Sequence, residues 1–251
     1  MRTSLRPALL LAALVLAAWL AACSSSPSPS ASPTPSSAAE LPPAWVQQEV
    51  SWQALYFGDA HPDECRWALT RPARAASLNG RDTSYLKTMF RGSPDERVYV
   101  AVVSGDFRAD WSESARASTL YLVMRAGLHE YVALGLARNS PDLGRLGALH
   151  AYVPQPAAPG VWGHTMAVGG PFPGAPRPLA NASVAVWAGR RPAGEPLDTL
   201  RSDADGFFTL DLPPGDYVFR LQDRRHGFPL AQQVSVKRGQ PVAAPVVGSM
   251  R

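Results

Sequence analysis

Lysine occurs twice in 251 residues, at Lys87 and Lys237, and cysteine twice, at Cys23 and Cys65. With one thiol at the edge of an N-terminal apolar run, the rest of the chain keeps one cysteine. Once Cys23 is covalently modified, no internal disulfide can form and stability has to come from packed cores. The five histidines, His61, His129, His150, His164 and His226, form no pair at helical ligand spacing. No glutamate stands where a zinc-protease motif would need it. A glycine loop for phosphate and a serine in a nucleophile elbow are also absent. Charge of one sign is lacking as well: 24 basic residues face 20 acidic ones, and removal of residues 1–22 takes away Arg2 and Arg6, leaving 22 against 20, a net of +2. That balance excludes a nucleic-acid partner of the usual basic kind. The basic residues are 22 arginines and two lysines.

What is present begins at the N-terminus. Arg2 and Arg6 precede the Leu/Ala-rich stretch Ala8–Ala22, and small residues lead into Cys23. This is the layout of a secretory signal, and the run is shorter than the ~20 apolar residues a membrane span wants. Leu20-Ala21-Ala22-Cys23 resembles the bacterial lipobox. The resemblance implies cleavage before Cys23, a diacylglycerol on its sulfur and an acylated amino group. Two or more acyl chains give stable anchoring. The expected location is a cell membrane or outer membrane, on the extracytoplasmic side.

Residues 24–43 hold eight serines and six prolines in twenty positions. Such a composition buries too little apolar surface to offset chain ordering, so residues 23–43 are expected to be a solvated tether. A second proline cluster, Val153-Pro154-Gln155-Pro156-Ala157-Ala158-Pro159-Gly160, divides the body into residues 44–152 and 161–251 through a stiff linker at 153–160.

Residues 44–152 read as an α+β module. Cys65, Trp67 and Leu69 alternate with Glu64, Arg66 and Thr70 along a strand, which makes Cys65 a buried hydrophobe. Pro72–Leu78 reads as a helix stopped by Asn79-Gly80. Val98–Val103 is apolar on both faces and is expected at the centre of a sheet. Thr119–Met124 and Tyr131–Leu136 form a hairpin around Gly127. The hairpin with its preceding helix and strand resembles, over barely fifty residues, the PepSY module of secreted bacterial proteins. That implies a binding or inhibitory role near the cell surface.

Beyond the linker, short alternating runs such as His164–Val168, Val184–Trp187, Phe208–Leu212 and Tyr217–Leu221 are punctuated by Pro, Gly and Asp. They predict an antiparallel sandwich. Pro178–Val186, Ser202-Asp203-Ala204-Asp205-Gly206-Phe207-Phe208 and Leu212-Pro213-Pro214-Gly215-Asp216-Tyr217 resemble, in order and spacing, the signature stretches of the carboxypeptidase regulatory-like, or transthyretin-like, family. The resemblance covers Gly163–Gly248. It implies an all-β, immunoglobulin-like, seven-stranded sandwich that accompanies other proteins without doing chemistry. Asn181 stands where the family often has glycine, and Gly170–Arg177 lengthens the first connection.

Asp203 and Asp205 suit Asx-type turns, and Gly206 suits positive φ. They are also candidate calcium ligands. An EF-hand loop counted from Asp203 would put Phe208 and Pro214 where glycine and glutamate are required, so that geometry is excluded, and other calcium geometries stay open. Arg190-Arg191 and Arg224-Arg225-His226 read as solvated loops that could also meet anionic polymers. The expectation is a lipoprotein anchored through Cys23, without cofactor or catalytic residues, that binds a protein or carbohydrate partner. A passive envelope spacer and a hydrolase with a histidine and an acid meeting only in space are the alternatives.

Overall fold

The computed structural model of the chain describes residues 40–76, 95–108, 116–169, 176–222 and 228–250. Cys23, most of the tether, Asn79-Gly80 and Arg224-Arg225-His226 lie outside the described residues. The protein is mostly β, in several antiparallel sheets with few helices.

The chain enters through Pro42 and Pro43 and turns at once into α1, Ala44–Tyr56. Pro43 has extended torsions that end the preceding segment, and its carbonyl accepts from the amides of Val46 and Gln47 at 2.9 and 3.1 Å. At the other end the Gly58 amide donates to the Leu55 carbonyl. Sequence periodicity did not single out this helix, and its burial explains why. Val46, Val50 and Ala54, four residues apart, face one core. Trp52, on a different face, enters another. A helix covered on both sides has no single apolar stripe.

The strands that follow are β1 Glu64–Thr70, β2 Val98–Arg108, β3 Arg116–Arg125, β4 Glu130–Ala137 and β5 His150–Tyr152, with a four-residue helix α2, Pro72–Ala75, after β1. They pair in the order β4-β3-β2-β1-β5, antiparallel throughout. β2 is central, as its two-faced apolar run predicts. Ala101 and Val103 pack with α1, whereas Val98, Val100 and Val102 pack with Ala68, Val123, Leu143 and Leu146 on the opposite face. Cys65 is buried as expected. The expected alternation of β1 fails at its end, where Leu69 is exposed and Thr70 buried. Leu69 opens into a surface groove beside Leu41 and Tyr99, while Thr70 is covered on the face it shares with Ala68. The β3–β4 hairpin forms, but its left-handed residue is His129, φ 52°, and not Gly127.

Nine further strands follow: β6 Gly160–Gly169, β7 Arg177–Pro178, β8 Ser183–Ala188, β9 Asp198–Arg201, β10 Phe207–Leu210, β11 Gly215–Leu221, β12 Phe228–Pro229, β13 Gln232–Val236 and β14 Pro241–Met250. One sheet runs β10-β6-β14-β12 with β7 beside β6; the other runs β13-β11-β8-β9. Val161, Ala244 and Val246 of the first meet Val184, Val186, Phe219 and Val234 of the second in a shared core. The expectation of a wholly antiparallel sandwich is corrected at one pair. β6 and β14 are parallel over ten residues, Gly160 with Pro241 through Gly169 with Met250. Period-two patterning marks a strand but not its direction.

The turns follow their residue chemistry. Asn181 adopts φ 54°, the conformation that glycine would otherwise supply. Tyr217 is buried in the sandwich core and its hydroxyl donates to the Pro213 carbonyl at 2.8 Å. Gly206 has φ 85°, and a Cβ there would lie 2.8 Å from the Thr165 carbonyl oxygen. Gly206→Ala is therefore strained by torsion and by backbone contact, with an expected cost of about 3 kcal/mol in urea unfolding. Gly194→Ala, at φ 67° with open space around it, costs about 1 kcal/mol. Equal losses at the two positions would refute the contact.

Candidate functional site

The elements that approach one another around α1 bring together residues far apart in sequence. Trp52 Nε1 donates to the Trp162 carbonyl at 3.0 Å. Glu49 of α1 and His164 of β6 are both buried, with Oε2 3.5 Å from Nδ1. Gln53 Nε2 donates to Glu49 Oε1 at 2.8 Å. The imidazole stacks on Phe207 with centroids 4.1 Å apart and meets the Trp52 ring edge-on at 5.1 Å.

Burial governs the charge state of this pair. It pushes the Glu49 carboxyl up to about 7, against a smaller opposing effect of Gln53. It pushes the His164 imidazole down to about 3, and the Asp205 backbone opposes that fall. No bond to either ring nitrogen meets hydrogen-bond geometry. Between about pH 3 and about pH 7 the contact is a carboxylic acid beside a neutral ring rather than a salt bridge.

A second histidine meets an acid at the surface. His129, at the end of the hairpin turn, places Nδ1 2.6 Å from Asp205 Oδ1. Its ring stacks on Trp45 of α1 at 4.4 Å with planes 12° apart. Asp205 belongs to the turn anticipated from sequence. Asp203 Oδ1 accepts from the amides of Asp205 and Phe207 at 2.9 and 2.8 Å. Asp203 Oδ2 lies 3.4 Å from Gln48 Nε2. Ser202 holds the loop from within, accepting from the Ala182 amide and donating to the Leu179 carbonyl. The two candidate calcium carboxylates thus take different partners. Among the described residues no group of three or more His, Cys, Asp or Glu stands close enough to hold a metal ion.

Of the other sequence candidates, Cys65 is sealed in the core and its thiol is pushed up to about 12, chiefly by burial. A nucleophile needs the thiolate and access, and this thiol has neither. Arg190 is exposed and donates from Nε to Asp216 Oδ2 at 2.9 Å. Sequence reasoning missed Glu49, Trp52 and Trp45 because α1 itself carried no periodic signal. It missed the His129–Asp205 contact because 76 residues separate the partners.

Two surface grooves accompany these contacts. One, of about 660 Å³, runs between Tyr56 and His61 on one side and Gln240 to Ala243 on the other. The second, of about 500 Å³, lies where the chain enters, between Leu41, Leu69 and Arg97, with Trp67, Tyr99 and His150 lining it. His150 stacks on Trp67 at 4.6 Å, and its Nδ1 is 3.6 Å from Glu40 Oε2.

No family model matches the chain, and no curated protein does. Among solved structures, one described as the Bacillus anthracis TIE protein is similar, at 10% identity and a TM-score of 0.24. The match covers 76% of this chain and 31% of that one, so the chain spans less than a third of that protein's length.

The buried pair makes a pH prediction with a definite sign. Folded, it keeps one proton from about pH 3 to about 7, on Glu49. Unfolded, with ordinary values of 4.5 and 6.5, it keeps one proton between those limits, on His164. The counts match from pH 4.5 to 6.5, so the pair adds no slope there. Below pH 4.5 the unfolded chain binds a second proton that the folded one refuses, and stability falls. Between 6.5 and 7 the folded chain holds the extra proton, and stability falls slightly as pH rises. Glu49→Gln removes the compensation and leaves His164 alone, whose depressed value makes stability fall from pH 6.5 downward. Urea unfolding of Glu49→Gln should show about 2 kcal/mol more loss than wild type between pH 7 and pH 5. Parallel pH profiles for the two proteins would contradict the neutral pair.

Proposed function

We propose that the chain is an exported lipoprotein, anchored through lipid on Cys23 and held off the membrane by the Ser/Pro-rich stretch, whose β-rich body binds a protein or glycan partner without catalysing a reaction. The observation that carries the binding reading is the groove at the chain entry. Exposed Leu41 and Leu69 there flank Tyr99 and Arg97, and the Arg97 guanidinium donates to the Leu69 carbonyl at 3.1 Å. Apolar walls with a few directed polar groups are the usual make-up of a recognition site. The position of the groove also fits a tethered protein, since Leu41 and Pro43 line it and α1 starts immediately after.

The second part of the body, in this reading, is a transthyretin-like sandwich. Setting aside the two-residue strands β7 and β12, three strands in one sheet face four in the other. The Asp203–Gly206 turn lies between β9 and β10, and Pro213-Pro214 lies between β10 and β11 with Tyr217 already in β11, an order that supports the family signatures. The parallel β6–β14 pair and the two-residue strand β7 after the lengthened first connection are the features to weigh against it.

Two measurements test the proposal separately. Cys23→Ser should move the protein from the detergent phase to the aqueous phase and remove the mass of the acyl groups. Retention in detergent with unchanged mass would end the anchor reading. For recognition, crosslinking capture from native envelopes should recover a reproducible partner with wild type. Leu41→Asp with Leu69→Asp should lose it at least tenfold while unfolding as wild type does, because both side chains are exposed. Capture that survives both substitutions would place recognition elsewhere.

A further inference from the structure

The larger surface groove, of about 660 Å³, falls within the range of roughly 300–1,000 Å³ that small-ligand sites occupy. Among the described residues no Asp, Glu, Lys or Arg lines it, although 18% of the chain is charged. Asp59 is close in sequence, but its carboxylate is turned to the backbone. Oδ1 accepts from the His61 amide at 2.9 Å, and Oδ2 accepts from the Asp106 amide at 2.8 Å.

The side chains that bring polarity to the groove are His61, Gln232 and Gln240. His61 and Gln240 are exposed, and neither the imidazole nor the Gln240 carboxamide has a hydrogen-bond partner among the described residues. Gln232 donates from Nε2 to the Gln233 carbonyl at 3.2 Å, which leaves its Oε1 to accept. A carboxamide offers both a donor and an acceptor, as does an imidazole in its neutral form, and a hydroxyl does the same. A charged ligand would lose hydration here without gaining a counter-ion, whereas an uncharged polyhydroxylated one meets groups that match its own. Flat apolar surface completes the walls. Pro241 and Pro245 line one side, and on the other the Tyr56 ring stacks on Trp52 at 5.3 Å with planes 10° apart and meets Phe57 at 5.2 Å. The C–H faces of sugar rings suit such walls, because carbon-bound hydrogens meet the negative face of an aromatic ring.

We propose that this groove binds an uncharged glycan, with its hydroxyls on His61, Gln232 and Gln240 and its ring faces against Tyr56 and the two prolines. The site is separate from the entry groove and stands whether or not that groove captures a partner.

The test is isothermal titration calorimetry of the full-length chain, held in a detergent without sugar headgroups, against chitohexaose, cellohexaose and mannohexaose. Wild type should bind one of them at a single site with a Kd below about 1 mM. His61→Ala and Gln240→Ala should each weaken that binding about three- to tenfold and unfold in urea as wild type does, because both side chains are exposed and unbonded. His61→Gln keeps a donor and an acceptor and should retain most of the affinity that His61→Ala loses, a difference that loss of folding could not produce. Leu41→Asp with Leu69→Asp, in the other groove, should leave the titration unchanged, so the two sites are read separately. Absence of saturation with all of these sugars, affinities unmoved by both alanine substitutions, or His61→Gln as weak as His61→Ala would each overturn the proposal. So would tighter binding of carboxymethylated cellohexaose than of the neutral sugar, or loss of binding in the Leu41 and Leu69 variant.

Discussion

A single helix holds this molecule together. α1 lies between two sheets, with Val46, Val50 and Ala54 set into the five-stranded sheet and Trp52 set against Met166 and Phe207 of the sandwich. Because the five-stranded sheet covers its other face with α2, Leu143 and Leu146, α1 is the element left to bridge outward. Each fully buried aliphatic or aromatic side chain contributes about 1.5–3 kcal/mol. Removing α1 would therefore uncover two cores at once rather than fray one edge.

The polar contacts around α1 set how the sheets sit, more than how strongly they adhere. Glu49 with His164 is a poor source of net stability, since both groups lose water and neither gains a full charge partner. Misplacing it by a residue, however, would leave a buried carboxyl against hydrocarbon. The Trp52 indole N–H, fixed on the Trp162 carbonyl, imposes the same restriction from the next turn of the helix. At the rim, His129–Asp205 and Glu130–Arg177 each join the hairpin region to the sandwich. The hairpin turn is built to deliver this: the positive φ at His129 aims the ring at both Trp45 and Asp205. Apolar burial supplies the adhesion and these directed groups supply the register.

What the sequence made legible was local. Val98–Val103 announced a central strand because both faces of it are covered, and Asp203 with Gly206 announced a turn because carboxylate-to-amide bonding and positive φ need those residue types. α1 was not legible for the same physical reason that makes it important. Burial on both sides erases the polar face by which a surface helix is recognised. β6 hid a second fact, since Thr165 and Ala167 face the sandwich core while His164 and Met166 face α1, so its alternation was of two buried faces. The parallel partnership of β6 and β14 is a matter of topology, which a residue pattern does not encode.

The histidines bear on where recognition can sit. A general base needs a lone pair open to substrate and a nucleophile to activate. His164 is sealed between Phe207 and Trp52, and His129 has one nitrogen on Asp205 and one face on Trp45. Cys65, the thiol in the described body, lies inside the core. These two histidines are spent on joining the sheets, whereas His61 and His150 line the two surface grooves. The groove at the chain entry sets His150 beside the exposed Leu41 and Leu69, and the larger groove lies between the end of α1 and the start of β14. The entry groove lies on the β1 and β5 flank of its sheet, at the far side from β4, where Glu130 and Arg177 join the hairpin to the sandwich, so a ligand in the groove would leave those joining contacts in place.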